Sequence, residues 1–253
     1  MPSAPTTMQS MTTDYCQNHM TIYDGSNEEA VLELTDTRGD NQTYQVAKLA
    51  DGNCWMLDDL KLGSTTGTLE LTPQDTNIAS NFTLPQVATT GTPDFDNPGV
   101  YGPVPGDTGV GATNYGYLYN WSAATAGESR TSHDKNAGDA PYSICPASWR
   151  LPTGVSGGEF SALDVAFGGT GNTASNGEPD IALWQHDGPF KGVFSGYWYV
   201  SFGGQTDRGV LWSASIRPVN ASSAFAARST LSYVQPTIHF YRSNGLGVRC
   251  LLN

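Results

Sequence analysis

The chain has 253 residues, with 12 Lys and Arg against 24 Asp and Glu for a formal net charge of −12, and 14% of residues are charged. That balance, without a Lys/Arg cluster anywhere, excludes nucleic-acid binding through phosphate neutralisation and disfavours anionic membrane surfaces. Abundant Gly, Ser, Thr, Asn and Pro, around six Trp and 12 Tyr, predict an α+β protein in which strand and loop outweigh helix.

Residues 1–30 read as an N-terminal leader, Thr/Met/Ser-rich at first, extended, and tied down at Cys16. It has neither a basic n-region nor an apolar h-region, and no stretch of the chain approaches the length of a membrane-spanning helix. VLELTDTRGDNQTYQVAKL at 31–49 alternates polar and apolar positions on both sides of RGDN, which predicts a β-hairpin turning at Arg38 to Asn41. The RGD triplet is read as that turn and not as an integrin signal.

DGNCWMLDDLKLG at 51–63 predicts a turn and then a short helical segment with Trp55, Met56 and Leu60 toward the core. Asp58 and Asp59 on that segment would diverge by about a hundred degrees, so they are expected to cap or solvate it and not to act as a facing carboxylate pair. Residues 64–113 form a loop-rich insertion. Its Asp75, Asp94, Asp96 and Asp107 are candidate Ca²⁺ ligands, against the competing reading of solvated turn aspartates, since the spacing matches no EF-hand loop. No other cofactor is expected.

NYGYLYNWSAATAG at 114–127 places Tyr117, Leu118, Trp121 and Ala124 at helical spacing before a Gly stop. SICPASWRLPTGVSGGEFSALDVAFGG at 143–169 predicts a Pro-fixed turn and a second helix whose buried face includes Phe160, Leu163, Val165, Ala166 and Phe167. Residues 170–191 read as loop. From 192 onward, short apolar and aromatic runs separated by Gly predict antiparallel strands.

Cys16, Cys54, Cys145 and Cys250 show neither CxxC nor His-spaced metal patterns and are read as two disulfides in an oxidising compartment, the alternative being four buried thiols. Three pairings are open. Cys16 with Cys54 and Cys145 with Cys250 is favoured, because the second ties the chain's end to its middle. Disulfides imply an extracellular or cell-surface protein whose export signal or anchor has been trimmed away.

The last forty residues carry the functional expectation. LWSAS at 211–215 and GLGVRC at 245–250 enclose a stretch with neither helical nor strand period, the look of a recognition surface held by a frame of Trp212, Gly245, Gly247, Arg249 and Cys250. The candidate ligand-contacting residues are Ile216, Arg217, Val219, Phe225, Arg228, Thr230, Tyr233, Gln235, Thr237, Ile238, His239 and Phe240. No catalytic residue and no metal site is assigned: His19, His133, His186 and His239 are scattered, and no Ser sits in a GxSxG elbow.

Taken in order, TDTRGDNQTY, GNCWMLDDLKLG, YGYLYNWSAA, ICPASWRLPT, GYWYVS, LWSAS and NGLGVRC resemble the Fibrobacter succinogenes major paralogous domain over roughly residues 31–252. The resemblance implies a single domain over 31–253 with a C-type-lectin-like fold, related to formylglycine-generating enzymes: two helices, antiparallel sheets, long loops, and both termini brought into one sheet. The 145–250 disulfide is topologically sensible there. A narrower similarity is to the variable proteins of diversity-generating retroelements, whose C-terminal segment is rewritten by adenine-directed mutagenesis. It implies a non-enzymatic receptor or adhesin that binds a protein or cell-surface ligand.

Three alternatives stand beside it. Carbohydrate could stack on Trp198, Tyr199 or Tyr233, although GEPD at 177–180 and TPQD at 72–75 do not fit the calcium-dependent lectin motifs. A structural envelope protein would have no dedicated ligand. A thiol-handling enzyme would need closely placed reactive cysteines.

Overall fold

In the computed structural model, which describes residues 3–109, 114–128, 138–172, 175–176, 181–220 and 222–253, the segment 3–30 contributes Met8, Met11, Cys16, Tyr23 and Ala30 to the core. Thr12 caps a short helix α1 (Thr13–His19) by accepting from the Tyr15 N–H, as N-cap threonines do. Met8, Met11 and Cys16 are buried in the main core cluster, and Trp149 Nε1 donates to the Met8 carbonyl at 2.8 Å. This segment is a structural part of the fold and not an extended leader.

The hairpin forms as expected. β1 (Val31–Thr35) pairs antiparallel with β2 (Thr43–Lys48), Val31 opposite Ala47 and Thr35 opposite Thr43, and Gly39 and Asn41 take positive φ in the turn. Arg38 does not point outward from it. The Arg38 side chain is 1% exposed, pairs with Asp36 at 2.6 Å and donates to the Ile144 carbonyl at 2.7 Å, so the arginine of the RGD triplet is not on display although Gly39 and Asp40 are exposed.

Residues 54–56, expected as helix, are strand β3 (Cys54–Met56). The reason is non-local: β2 takes one edge, Val46 opposite Met56, and the last strand takes the other, Leu251 opposite Trp55. Two small antiparallel pairs lie in the following loops: β4 (Leu69–Leu71) with β5 (Phe82–Leu84) and β6 (Val100–Tyr101) with β7 (Leu118–Tyr119).

Because Leu118 and Tyr119 are committed to that ladder, the helix expected from Tyr117 is shortened to the single turn α2 (Trp121–Ala124). Asn120 caps it by accepting from Ala123 N–H, and Ala126 and Gly127, both at positive φ, end it. After β8 (Trp149–Arg150), α3 (Glu159–Ala166) buries Phe160, Ser161, Leu163 and Asp164, with Phe167 just beyond. Val165 and Ala166, placed on the inner face from sequence, are exposed, since 160, 163, 164 and 167 are the positions that share a helical stripe.

The main sheet runs β1-β2-β3-β15-β8, with β15 (Leu251–Leu252) between two strands from the first 150 residues. A second sheet contains β9 (Ser175–Asn176), β12 (Arg208–Ile216), β13 (Ser223–Thr230) and β14 (Tyr233–Tyr241), in the order β12-β13-β14-β9. Its neighbours are α3 and the short α4 (Ile181–Trp184), which pack on β13 and β14. In chain order, between α4 and β12, comes the hairpin of β10 (Tyr197–Tyr199) and β11 (Ser201–Gly203).

The protein is thus α+β with antiparallel sheets. All six tryptophans are buried, including Trp198, which stacks on Tyr101 with centroids 3.7 Å apart and so is not free to stack on a sugar. Disulfides join Cys16 to Cys54 and Cys145 to Cys250, the favoured pairing. No helix among the described residues is long and apolar enough to cross a membrane.

Candidate functional site

The stretch that lacked a period in sequence is the end of β12 and the whole of β13 and β14, which are with β12 the longest strands among the described residues. Register shifts between Trp212 and Ile216 and between Ala226 and Arg228 explain the discrepancy: a bulge moves the following side chains to the opposite face, so one alternating pattern cannot run through.

The frame around these strands is interior. Trp212 Nε1 donates to the Tyr119 carbonyl at 2.7 Å, and Trp212 N donates to the Gly247 carbonyl at 3.0 Å. A Cβ on Gly247 would meet Asp59 Oδ2 at 2.9 Å and one on Gly245 would meet the Tyr101 ring at 2.7 Å. These glycines are therefore sites of close backbone approach. Asp59 and Arg249 form a buried ion pair at 2.7 Å, and Asp58 Oδ2 accepts from Gln45 N at 2.6 Å. Neither carboxylate is the solvated helix cap expected from sequence.

The twelve candidate contact residues do not form one uniform face. Ile216, Thr230 and Thr237 are buried and are corrected to structural positions. Ile238 and Phe240, opposite Ala226 and Ala224, are half-buried and pack against the main core. Phe225 is half-buried opposite His239, its Cβ near the backbone of Gly154. Val219 is 73% exposed at the β12–β13 turn.

Two groups remain. Toward the β13–β14 turn, Arg228 lies over the Tyr233 ring at 5.0 Å and donates to Gln235 Oε1, the residue opposite it in register. Arg208 lies over the Tyr197 ring at 6.0 Å nearby.

At the other end of the sheet, a recess of about 270 Å³ brings together Arg217, Ser223, His239, Phe240, Tyr241 and Asn244. The β12–β13 turn shapes it: Arg217 N donates to the Ser223 carbonyl at 3.0 Å, and Asn220 Oδ1 accepts from Ser222 N at 3.1 Å. Burial, and then the positive Arg217, push the His239 imidazole below its ordinary pKa of 6.5, which leaves it neutral at neutral pH. Asn244 is 7% exposed, and its Oδ1 has no hydrogen-bond partner. Tyr241 sits edge-on to Phe95, centroids 6.5 Å apart.

Asn244 and Tyr241 were not among the sequence candidates. The available signal was an amide immediately before the frame glycine Gly245 and a further aromatic within TIHFYR, both inside the enclosed stretch.

Elsewhere, a cleft of about 510 Å³ opens beside Asp58, His186 and Lys191. Lys191 is engaged with Glu28 at 3.1 Å and His186 with Asp187 at 2.8 Å. The Ca²⁺ candidates serve local ends: Asp94 Oδ1 accepts from Asp96 N and Asn97 N, Asp75 Oδ1 from the Thr72 hydroxyl, and Asp107 pairs with Lys61 at 3.0 Å. Among the described residues no three His, Cys, Asp or Glu side chains converge on a metal position. His133 and the GEPD stretch at 177–180 lie outside the described residues. Comparison with protein families, curated proteins and solved structures found no match to this chain.

Proposed function

We propose that this protein is an extracellular ligand-binding module with a C-type-lectin-like fold, in which the sheet β12–β13–β14 carries the contact surface on a buried frame, for a protein or cell-surface ligand. The observation that carries the reading is the separation of roles between the C-terminal frame and the sheet β12–β13–β14 beside it. Trp212, Gly245, Gly247, Arg249 and Cys250 are interior and bonded to distant parts of the chain, whereas Arg217, Arg228, Tyr233, Gln235 and His239 are at least partly exposed on elements held rigidly by them.

A sheet that seats β15 between β3 and β8, with residues 7 and 22 bridged to β1 and β2, agrees with the joined termini of that fold. The two disulfides support an oxidising compartment. They also consume all four cysteines, which argues against thiol-oxidase chemistry. Diversification by a retroelement is the natural extension, because side chains that do not hold the frame can be exchanged freely.

A displayed library randomised at positions 217, 225, 228, 233, 235 and 239 tests the reading. Most members are expected to melt near the parent temperature, and selection against unrelated soluble proteins should yield specific binders; a library that largely unfolds overturns it. For diversification, the genomic observation is a near-repeat of the codons for 211–250, differing at adenines, beside a reverse transcriptase.

A further inference from the structure

The recess at the β12–β13 turn has a definite chemistry, and the following rests on reading this sheet as ligand-binding. Arg217 has no carboxylate within ion-pair distance among the described residues, in a chain with 24 acidic residues against 12 basic ones. Its titratable neighbour in the recess is His239, whose imidazole is pushed toward the neutral form by burial and then by Arg217, so that it brings hydrogen-bonding capacity without a second charge. Asn244 supplies the third element: a residue more than nine-tenths buried that lines the recess, whose side-chain carbonyl oxygen has no hydrogen-bond partner. Buried acceptors are seldom left unanswered in native proteins, because the lost hydration is not returned.

We propose that this recess binds an acidic peptide segment, Arg217 taking an aspartate side-chain carboxylate and Asn244 Oδ1 taking an N–H of the adjoining peptide backbone. A cation without a counterion calls for an anion, and the unanswered acceptor beside it calls for a donor in the same ligand. An aspartyl residue offers both a few bonds apart. Inorganic phosphate supplies mainly acceptors and leaves Asn244 unsatisfied. A simple dicarboxylate has the charge but no N–H. The lining suits a peptide as well: Tyr241, 55% exposed and braced edge-on by Phe95, and the half-buried Phe240 offer apolar surface around a polar centre, the arrangement found where binding energy concentrates.

The test is an NMR titration of the intact, disulfide-bonded chain with N-acetyl-aspartate methylamide. The comparison ligands are N-acetyl-asparagine methylamide, succinate and inorganic phosphate. The expected result is saturable shifts at the amides of 217, 223, 239 and 244, with millimolar affinity, and binding of each comparison ligand weaker by about ten-fold or more. Arg217→Gln is expected to weaken the aspartyl ligand by at least about ten-fold with a dispersed spectrum retained. Asn244→Leu should do the same, and Asn244→Ser stands in for it if the leucine variant does not fold.

Equal binding of the asparagine analogue or of phosphate overturns the proposal, as does the absence of saturable shifts or full affinity in Arg217→Gln. If the aspartyl ligand fails while the randomised library still yields binders, the ligand class is wrong and the display reading stands. If the library unfolds, the display reading falls on its own account.

Discussion

Arg249 donates from Nε to Asp59 Oδ1 at 2.7 Å, the two side chains being 0% and 1% exposed, and gives its other N–H groups to the carbonyls of Phe190 and Lys191 at 2.5 and 3.0 Å. One guanidinium thus ties the loop after β3, the segment before β10 and the C-terminal frame together. Removing one member strands a charge in the interior, which costs about 3–5 kcal/mol, whereas replacing both by apolar groups of similar volume can be near neutral. Arg249→Met is expected to lower the unfolding free energy by that amount, read as a fall in the urea midpoint at unchanged slope. Asp59→Leu combined with Arg249→Met should recover a large share of the loss.

Cys145 and Cys250 are 105 residues apart and Cys16 and Cys54 are 38 apart. Restricting the unfolded chain by the larger loop stabilises by roughly 5 kcal/mol and by the smaller by roughly 4 kcal/mol in the chain-entropy account. Replacing Cys145 and Cys250 by Ala is therefore expected to lower the melting temperature more than replacing Cys16 and Cys54. Thermal denaturation of the two double variants at equal protein concentration gives the order directly, and the reverse order would show that native-state packing around Cys16 dominates.

What the sequence disclosed was local. Alternation across 31–48 gave the β1–β2 hairpin, and the spacing of Phe160, Leu163 and Phe167 gave α3. β3 was not legible, because nothing within CWM says that Val46 and Leu251 will pair with its two edges. The burial of Arg38 was hidden for the same reason: its partners include the Ile144 carbonyl, 106 positions away. In the candidate site, residue types flagged Arg217, Arg228, Tyr233 and His239. The bulges in β12–β14 concealed which neighbours turn inward, so Ile216 and Thr237 were placed on the surface. The position of Asn244 before Gly245 was legible, but its unanswered buried oxygen was not, because that is a property of packing.

Phe240 and His239 are adjacent in β14 but belong to different environments, and their alanine variants should separate. Phe240 packs against the core opposite Ala224, so Phe240→Ala is expected to cost about 1–3 kcal/mol for a partly buried ring. His239 is exposed and Tyr233 rests on Arg228, so His239→Ala and Tyr233→Ala should each stay within about 1 kcal/mol. Melting curves of the three single variants decide the matter. A large loss in His239→Ala would make that side chain part of the core and remove it from the recess.

Glu159, in the first turn of α3, sets an acid limit on stability. Burial pushes its carboxyl up, but the Arg150 guanidinium at 2.5 Å, the Thr153 hydroxyl and the Thr153 N–H at 2.7 Å outweigh that and hold it at about 2 in place of 4.5. A carboxylate depressed by folding contributes stability that is complete above its unfolded value and is lost as pH falls through the folded one. The loss from this group therefore falls between about 4.5 and about 2. The pair retains some exposure, 33% for Arg150 and 21% for Glu159, so solvent screening reduces the contribution to about 1 kcal/mol. Glu159→Gln is expected to be less stable by that amount at pH 7 and to approach the parent near pH 2 in urea denaturation. Parallel pH profiles for the two proteins would place the acid sensitivity in another group.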